Sequence, residues 1–226
     1  PAWSEDVRPI GREVLRLLGK ARSTFSNQPE QVVREKLYEP LFQSLGFDFQ
    51  VNKPGDSDLA VPDYTLYAPG DRSKPIALAM TTVWNRNLDD VDEGRDPQTP
   101  GEIPGALVVN VLAKAEAKWV IVTNGKLWRL YSTTADNKAT NYYEIDLEEA
   151  AEAPDQVKAL TYWWLFFRRQ AFTGFLDELL QQSADYAKGL GERLKDRTFT
   201  SIFPRFAEGF IHHIRAETSD QSNFSD

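Results

Sequence analysis

The chain has 226 residues, of which 41% are hydrophobic and 12% aromatic, and its formal net charge is −8. A chain of this length and composition can bury a sizeable core, which argues against wholesale disorder. It contains no cysteine, so disulfides, cysteine-based zinc sites, iron–sulfur clusters and a cysteine nucleophile are excluded. The longest apolar run, residues 163–167, is far shorter than the roughly 20 residues of a membrane span, and the N-terminus lacks a signal-peptide pattern. We therefore expect a cytoplasmic protein with no membrane partner.

The charge is unevenly distributed along the chain. Residues 156–215 carry nine Lys and Arg against six Asp and Glu, so this segment has a net charge of +3 and the remainder one of −11. An acidic chain is not expected to coat nucleic acid in a general way. The distribution is compatible with a local DNA-contacting face, but tight autonomous binding of DNA is not expected.

Two helices are predicted at the start of the chain. Over residues 7–25 the apolar side chains recur three or four positions apart, which is typical of an amphipathic helix. Pro29 suits the first turn of a second helix, and Gly46 is expected to end it. We expect Pro40 to kink this second helix, because proline has no N–H to donate.

Six short strands are predicted in the middle of the chain. The third is long and almost uncharged, as expected of a strand that is buried on both faces. The fourth and fifth flank Asn124-Gly125, and an Asn-Gly pair between two such runs is the strongest short-range signal for a hairpin. In chain order the predicted strands are residues 47–51, 63–67, 76–84, 118–123, 127–132 and 141–146.

The third and fourth strands are separated by an acidic loop, residues 88–101, and by a predicted helix, residues 103–117. After residue 155 there are no further strand signals. Helices are predicted there for residues 158–171, 175–194 and 201–216. The expected fold class is therefore α/β, a mixed sheet flanked by helices, with a C-terminal α-helical extension. The expected organisation is an α/β domain over residues 1–150, a helical connector over residues 151–216 and a disordered tail over residues 217–226.

The most informative residues occur in a fixed order through the first two thirds of the chain. They are Glu30 at the start of the second helix, Pro62-Asp63-Tyr64, the strand over residues 76–84, and Thr123-Asn124-Gly125 followed by Trp128-Arg129-Leu130-Tyr131. Together they resemble the N-terminal nuclease module of type I restriction subunits and of fused type IIG restriction–modification enzymes. That module has the restriction-endonuclease-like PD-(D/E)XK fold. The resemblance implies DNA as a substrate or partner, and a methyltransferase domain downstream or in trans.

The resemblance also implies the chemistry of a Mg²⁺-dependent phosphodiesterase. In the family, two carboxylates hold Mg²⁺, which prefers hard oxygen ligands. A nearby lysine orients the attacking water and offsets the developing negative charge. Glu30 and Asp63 would be the metal-binding carboxylates. The family's third strand adds an acid and a lysine two residues apart, so that both point to the same face.

The third strand of this chain departs from that pattern. When residues 84–88 are aligned with the end of the family's strand, Met80 stands where the acid belongs and Thr82 where the lysine belongs. A thioether is a poor substitute for a carboxylate as a Mg²⁺ ligand, and a hydroxyl carries no charge. The loss of one preorganised electrostatic element costs about 10²–10³ in rate. We therefore expect Glu30, Asp63, Met80 and Thr82 to form a degenerate catalytic centre, with Mg²⁺ as a cofactor only if activity remains.

Simpler structural interpretations remain open for the same residues. Glu30 also suits the first turn of any helix, where the helix dipole favours an acidic side chain. Asp63 follows a proline and also suits the plain start of a strand. Trp119 and Trp128 are expected in the core rather than in stacking on bases. The aromatic side chains of residues 162–172 are too apolar for a free surface, so we expect them to pack on the domain or on a partner.

Three functional hypotheses follow from the sequence. The first is a nuclease-fold module of a restriction–modification or phage-defence protein that has lost catalysis and acts as a scaffold or in DNA positioning. The second is an active Mg²⁺-dependent DNA endonuclease that uses Glu30, Asp63 and an acid or lysine from elsewhere. The third is a protein–protein interaction module whose aromatic segment, residues 162–172, docks against a partner domain.

Overall fold

The computed structural model describes residues 3–26, 28–53, 61–96, 99, 101–206 and 208. The chain divides into two compact units, Pro1–Leu176 and Asp177–Asp226. The first unit contains the whole sheet, together with an aromatic helix that follows residue 155. The second contains most of the last long helix. The tail expected to be disordered, residues 217–226, lies outside the described residues.

The first unit is built on one six-stranded sheet with the order β1-β2-β3-β4-β5-β6. Only β3 and β4 pair in parallel, and the other neighbours are antiparallel. The strands are β1 (Asp48–Val51), β2 (Tyr64–Tyr67), β3 (Ala77–Thr81), β4 (Trp119–Thr123), β5 (Leu127–Ser132) and β6 (Tyr142–Asp146). This sheet, with helices beside it and a helical C-terminal region, confirms the predicted mixed α/β class.

Along the chain, helices lie before, between and after the strands. Among the described residues, α1 and a helical stretch broken by a π segment precede the sheet, one helix lies between β3 and β4, and three α-helices follow β6. They are α1 (Trp3–Thr24), α2 (Glu30–Val33), α3 (Glu39–Ser44), α4 (Pro104–Lys114), α5 (Leu147–Glu152), α6 (Gln156–Phe167) and α7 (Phe175–Arg197). Within the described residues, none of the helices is both long and apolar enough to cross a membrane.

The sheet is covered on both faces. On one face Leu78 and Met80 of β3 pack with Val108, Val111 and Leu112 of α4. On the other face a group of aromatic rings joins the N-terminal helices, the sheet and α6, and Trp128, Trp163 and Phe167 in this group are fully buried. Burial on both faces explains why β3 and β4 are almost uncharged. It also confirms that Trp119 and Trp128 belong to the core.

The irregularity expected at Pro40 takes a specific form. A π-helical segment, Arg34–Tyr38, lies between α2 and α3 and ends just before the proline. Proline has no N–H, so one backbone hydrogen bond of the regular α-helical pattern is missing in the turn before it. A one-turn π segment is a common way for a helix to accommodate such a gap. Gly46 ends the helix with a φ of 87°, as predicted.

The structure differs from the predicted elements in several places. The third strand ends at Thr81 rather than at residue 84, because the chain turns at Asn85, whose φ is 57°. The predicted helix over residues 158–171 ends at Phe167 and continues as a 3₁₀ segment. Helix α5 was not predicted from the sequence. It is capped by Asp146, whose carboxylate accepts hydrogen bonds from the backbone N–H groups of the first turn.

The aromatic segment after residue 155 packs mainly within the first unit. Trp163 and Phe167 are fully buried, and the ring of Phe166 stacks on that of Tyr143 with centroids 3.8 Å apart. Tyr162 is 54% exposed and does not pack on the domain, so for this side chain packing on a partner stays a prediction. Tyr162 lies on the solvent side of α6, and a single exposed aromatic ring is common on protein surfaces.

Candidate functional site

Two of the four predicted site residues lie together at one end of the sheet. Glu30 is the first residue of α2, and Asp63 immediately precedes β2. Arg34 joins them: its Nη2 donates a hydrogen bond to Glu30 Oε1 at 2.6 Å and another to Asp63 Oδ1. Asp63 Oδ2 accepts a hydrogen bond from the backbone N–H of Thr81 at 2.6 Å and one from its hydroxyl at 3.2 Å. We refer to Glu30, Arg34, Asp63 and Thr81 as the Arg34 cluster.

Local sequence and sheet register explain how the cluster forms. Glu30 and Arg34 are four residues apart, so their side chains lie on the same side of the helical segment. The antiparallel register pairs Tyr64 with Ala79, which brings Asp63 beside the end of β3. As predicted, Asp63 therefore lies next to residues 80–82 on the neighbouring strand.

Met80 does not belong to the Arg34 cluster. Its side chain is 8% exposed and packs in the apolar group formed by β3, β4 and α4. Successive side chains of a strand point to opposite faces, so Met80 and Thr81 cannot both face Asp63. The residue that faces Asp63 is Thr81, whose hydroxyl contacts the carboxylate.

Thr82 also makes its contacts elsewhere. Its hydroxyl donates to the carbonyl of Val83 at 3.1 Å, and its own carbonyl accepts a hydrogen bond from the hydroxyl of Tyr38 at 2.7 Å. Burial raises the pKa of Tyr38 well above its ordinary value, so this hydroxyl remains a donor over the physiological range. Thr82 therefore helps to fix the end of β3 against the helical segment.

Burial dominates the electrostatics of the Arg34 cluster. The side chains of Glu30, Arg34 and Asp63 are 27%, 24% and 20% exposed. Burial raises the pKa of Glu30 to about 7, although the charge of Arg34 opposes the shift. Burial also raises the pKa of Asp63, against the charge of Arg34 and the hydrogen bonds from Thr81. One guanidinium therefore does not fully compensate two buried carboxylates.

Two further arginines, Arg86 and Arg129, hold the acidic loop that follows β3. Arg129, on β5, is 3% exposed. It forms two hydrogen bonds of 2.6 Å with the carboxylate of Asp89 and one of 2.5 Å with Glu144. Arg86 is 1% exposed, forms an ion pair with Asp96 at 3.2 Å and donates to two backbone carbonyls of the same loop. These contacts assign the acidic loop a structural role.

The donor set of the Arg34 cluster does not fit a Mg²⁺ site. Mg²⁺ needs several oxygen ligands in octahedral geometry. Glu30 Oε1 and Asp63 Oδ1 are both engaged by Arg34, and Asp63 Oδ2 is engaged by Thr81. In the part of the chain that the structure describes, no group of three or more His, Cys, Asp or Glu could hold a metal ion.

Two members of the cluster were not singled out from the sequence. The spacing of Glu30 and Arg34 was visible as an acidic and a basic residue one helical turn apart, which is an ordinary pattern for a surface ion pair. Thr81 gave no local signal, because its role depends on the register of β2 against β3. A cavity of about 280 Å³ lies elsewhere, between α1, α5 and Trp84, and no residue of the cluster lines it.

No protein-family model, curated protein or solved structure matches the chain. Any family assignment therefore depends on the residues and geometry described above.

Proposed function

We propose that the first unit is a restriction-endonuclease-like module that has lost its catalytic centre. It would act as a scaffold or in DNA positioning within a restriction–modification or phage-defence protein of the cytoplasm. The observation that carries this proposal is the position of Arg34 between Glu30 and Asp63. An arginine side chain supplies there the positive charge that a nuclease of this family takes from its metal ion.

The arrangement of elements supports the proposal. The proposal draws support from the position of Glu30 in a first helical turn and of Asp63 directly before β2. The neighbouring strand, β3, runs alongside Asp63 and pairs in parallel with β4. Helix α4 connects these two parallel strands, as a parallel pair requires.

The chemistry of the cluster supports the loss of activity. Hydrolysis of a phosphodiester needs a positioned water and compensation of charge on the phosphate. The β3 side chain that faces Asp63 is Thr81, which supplies neither a carboxylate for a metal ion nor an ammonium group. Nη2 of Arg34 is shared between the two carboxylates, so the positive charge that could bind a phosphate is already paired with them.

A plasmid-cleavage assay tests the proposal. The purified chain should not cleave plasmid DNA above background with either Mg²⁺ or Mn²⁺. Robust cleavage that Asp63→Ala abolishes would overturn the proposal and favour an active endonuclease with a rearranged site. Asp71→Ala is the matched control, because Asp71 is an exposed turn residue whose carboxylate accepts a hydrogen bond from the neighbouring Ser73. Its loss should leave any genuine cleavage unchanged.

A second candidate function is protein–protein interaction, and one observation favours it. Tyr162, on the aromatic segment that was expected to dock against a partner domain, is 54% exposed. In the family that the sequence resembles, a helical connector precedes a methyltransferase domain, so such a domain is the partner that the proposal implies. Co-purification of this chain with a methyltransferase subunit from the same source would support that role.

A further inference from the structure

The second unit exposes an apolar stripe with no partner among the described residues. Between residues 181 and 206, only Gly189 and Thr198 are other than exposed. The exposed set includes Tyr186 (67%), Leu190 (41%), Leu194 (57%), Phe199 (59%), Phe203 (58%) and Phe206 (73%). A contiguous apolar surface of this kind marks an interaction site. An isolated helix is only marginally stable in water, so α7 gains its stability from whatever covers it.

The stripe has the geometry of a helix–helix interface. Tyr186, Leu190 and Leu194 are spaced four residues apart, so they follow one side of α7. Ser183 and Ala187, each three residues before one of these side chains, form the adjacent row on the same side. Small side chains alternating with large ones allow a second helix to approach closely and to interdigitate.

The charge of α7 indicates what kind of helix covers it. The first half, residues 175–186, carries three acidic side chains and no basic one. The second half, residues 187–197, carries four basic and two acidic side chains, which leaves a net charge of +2. A second copy of α7 in antiparallel orientation would set each acidic half against a basic half. A parallel copy would set like charges side by side, which is unfavourable.

From the stripe and this charge complementarity, we propose that α7 mediates an antiparallel, two-fold homodimer of the chain. The two-fold axis passes between Tyr186 and Ala187, so that Tyr186 of one copy faces Ala187 of the other and the two copies of Ala187 lie close together. Ser183 then faces Leu190 of the second copy, and the reverse contact follows from the symmetry. This inference is independent of the proposed nuclease ancestry, because it uses no residue of the Arg34 cluster.

The solution mass of the full chain gives the first test. Light scattering should give twice the chain mass of 25.7 kDa across a concentration series. The double variant Leu190→Asp/Leu194→Asp should return it to the mass of one chain. Val91→Asp is the matched control, because Val91 is 49% exposed in a loop of the first unit, and it should remain dimeric. A monomeric wild-type chain, or a dimer that survives the double variant, would overturn the proposal.

Disulfide cross-linking tests the orientation and avoids any loss of folding. The chain has no cysteine, so each introduced thiol is unique. Ala187→Cys should cross-link with itself under oxidising conditions. Ser183→Cys alone should not, because two copies of this position would lie about 10 Å apart along the helix axis. A mixture of Ser183→Cys and Leu190→Cys chains should cross-link with each other. Self-linkage of Ser183→Cys, or no linkage in the mixture, would overturn the antiparallel arrangement.

Discussion

Two sites in the first unit have the same components, one arginine with two carboxylates, but they differ in burial. At Arg129 the partners reach solvent, since the side chains of Asp89 and Glu144 are 64% and 36% exposed. The hydrogen bonds from Arg129 lower the pKa of Asp89. At Arg34 the partners Glu30 and Asp63 are more deeply buried, and burial raises the pKa of both carboxyl groups.

The difference concerns how completely a single positive charge compensates two negative ones. At Arg129, solvent and the arginine together stabilise the negative charge, so the ionised form of Asp89 is favoured. At Arg34 little solvent is present, and the arginine leaves an excess of buried negative charge. A divalent cation would match two carboxylates better than a guanidinium does. The proposed loss of a metal site, with an arginine in place of the ion, would account for this mismatch.

The largest effect is expected from removing Arg129, whose carboxylate partners reach solvent. Arg129→Ala deletes a side chain that is 3% exposed, three hydrogen bonds to carboxylates and a contact 4.5 Å from the ring of Tyr142. We expect a loss of about 3 kcal/mol in the free energy of unfolding at neutral pH. Urea titration followed by tryptophan fluorescence measures it, because all six tryptophans belong to the first unit. Arg72→Ala, which removes one exposed hydrogen bond, should change little. A similar loss in both variants would contradict the assignment.

The two sites should respond to pH with opposite signs. The pKa of Glu30 is raised from 4.5 to about 7 in the folded chain. The stability that it contributes is therefore fully present below pH 4.5 and is lost as the pH rises through about 7. Glu30→Gln removes this dependence. Between pH 4.5 and about 7, the free energy of unfolding of the variant should therefore fall by on the order of 2 kcal/mol less than that of the wild type.

Asp89 provides the control from the other site. Its pKa is lowered from 3.8, so its contribution is present above that pH and is lost as the pH falls. Asp89→Asn should therefore weaken the fold at neutral pH and make no difference in strong acid. Free energies of unfolding measured from strong acid to above pH 7 distinguish the two signs. Parallel pH profiles for Glu30→Gln and the wild type would show that burial does not raise the pKa of Glu30.

The smallest effect is expected from the threonine that faces Asp63. Thr81→Val keeps the shape of the side chain and the backbone hydrogen bond, but removes the hydroxyl donor that lies 3.2 Å from Asp63 Oδ2. We expect a loss of about 1 kcal/mol in the free energy of unfolding. Thr140→Val, which alters a hydroxyl on an exposed turn, should cost almost nothing. Equal values for the two variants would mean that the Thr81 hydroxyl does not support the Arg34 cluster.

Most of the fold could be predicted because its signals are local. Alternation and uncharged runs located all six strands, and Asn124-Gly125 located the hairpin between β4 and β5. The structure adds the reason why glycine is needed there. Gly125 has a φ of 83°, and a Cβ at this position would lie 2.6 Å from the ring of Trp84. That ring comes from 41 positions earlier in the chain, so no local pattern could indicate it.

The site could be predicted only in part, because it depends on register. Glu30 and Asp63 were found from their places in helix and strand signals. The alignment of the third strand chose Met80 and Thr82, whereas the pleat of β3 turns Thr81 toward Asp63. A shift of one residue exchanges the two faces of a strand, and nothing in the sequence of β3 fixes that choice. Only its pairing with β2 does.

The most direct test of the account is the response of the Arg34→Ala variant to divalent cations. If Arg34 compensates carboxylates that once held a metal ion, its removal should allow Mg²⁺ or Mn²⁺ to bind there. Thermal unfolding of Arg34→Ala should then shift upward by several degrees when either ion is added. The wild type, and the double variant Arg34→Ala/Asp63→Ala, should not respond. An Arg34→Ala variant that ignores both ions, or a wild type that responds equally, would contradict the claim that Arg34 stands in for a metal ion.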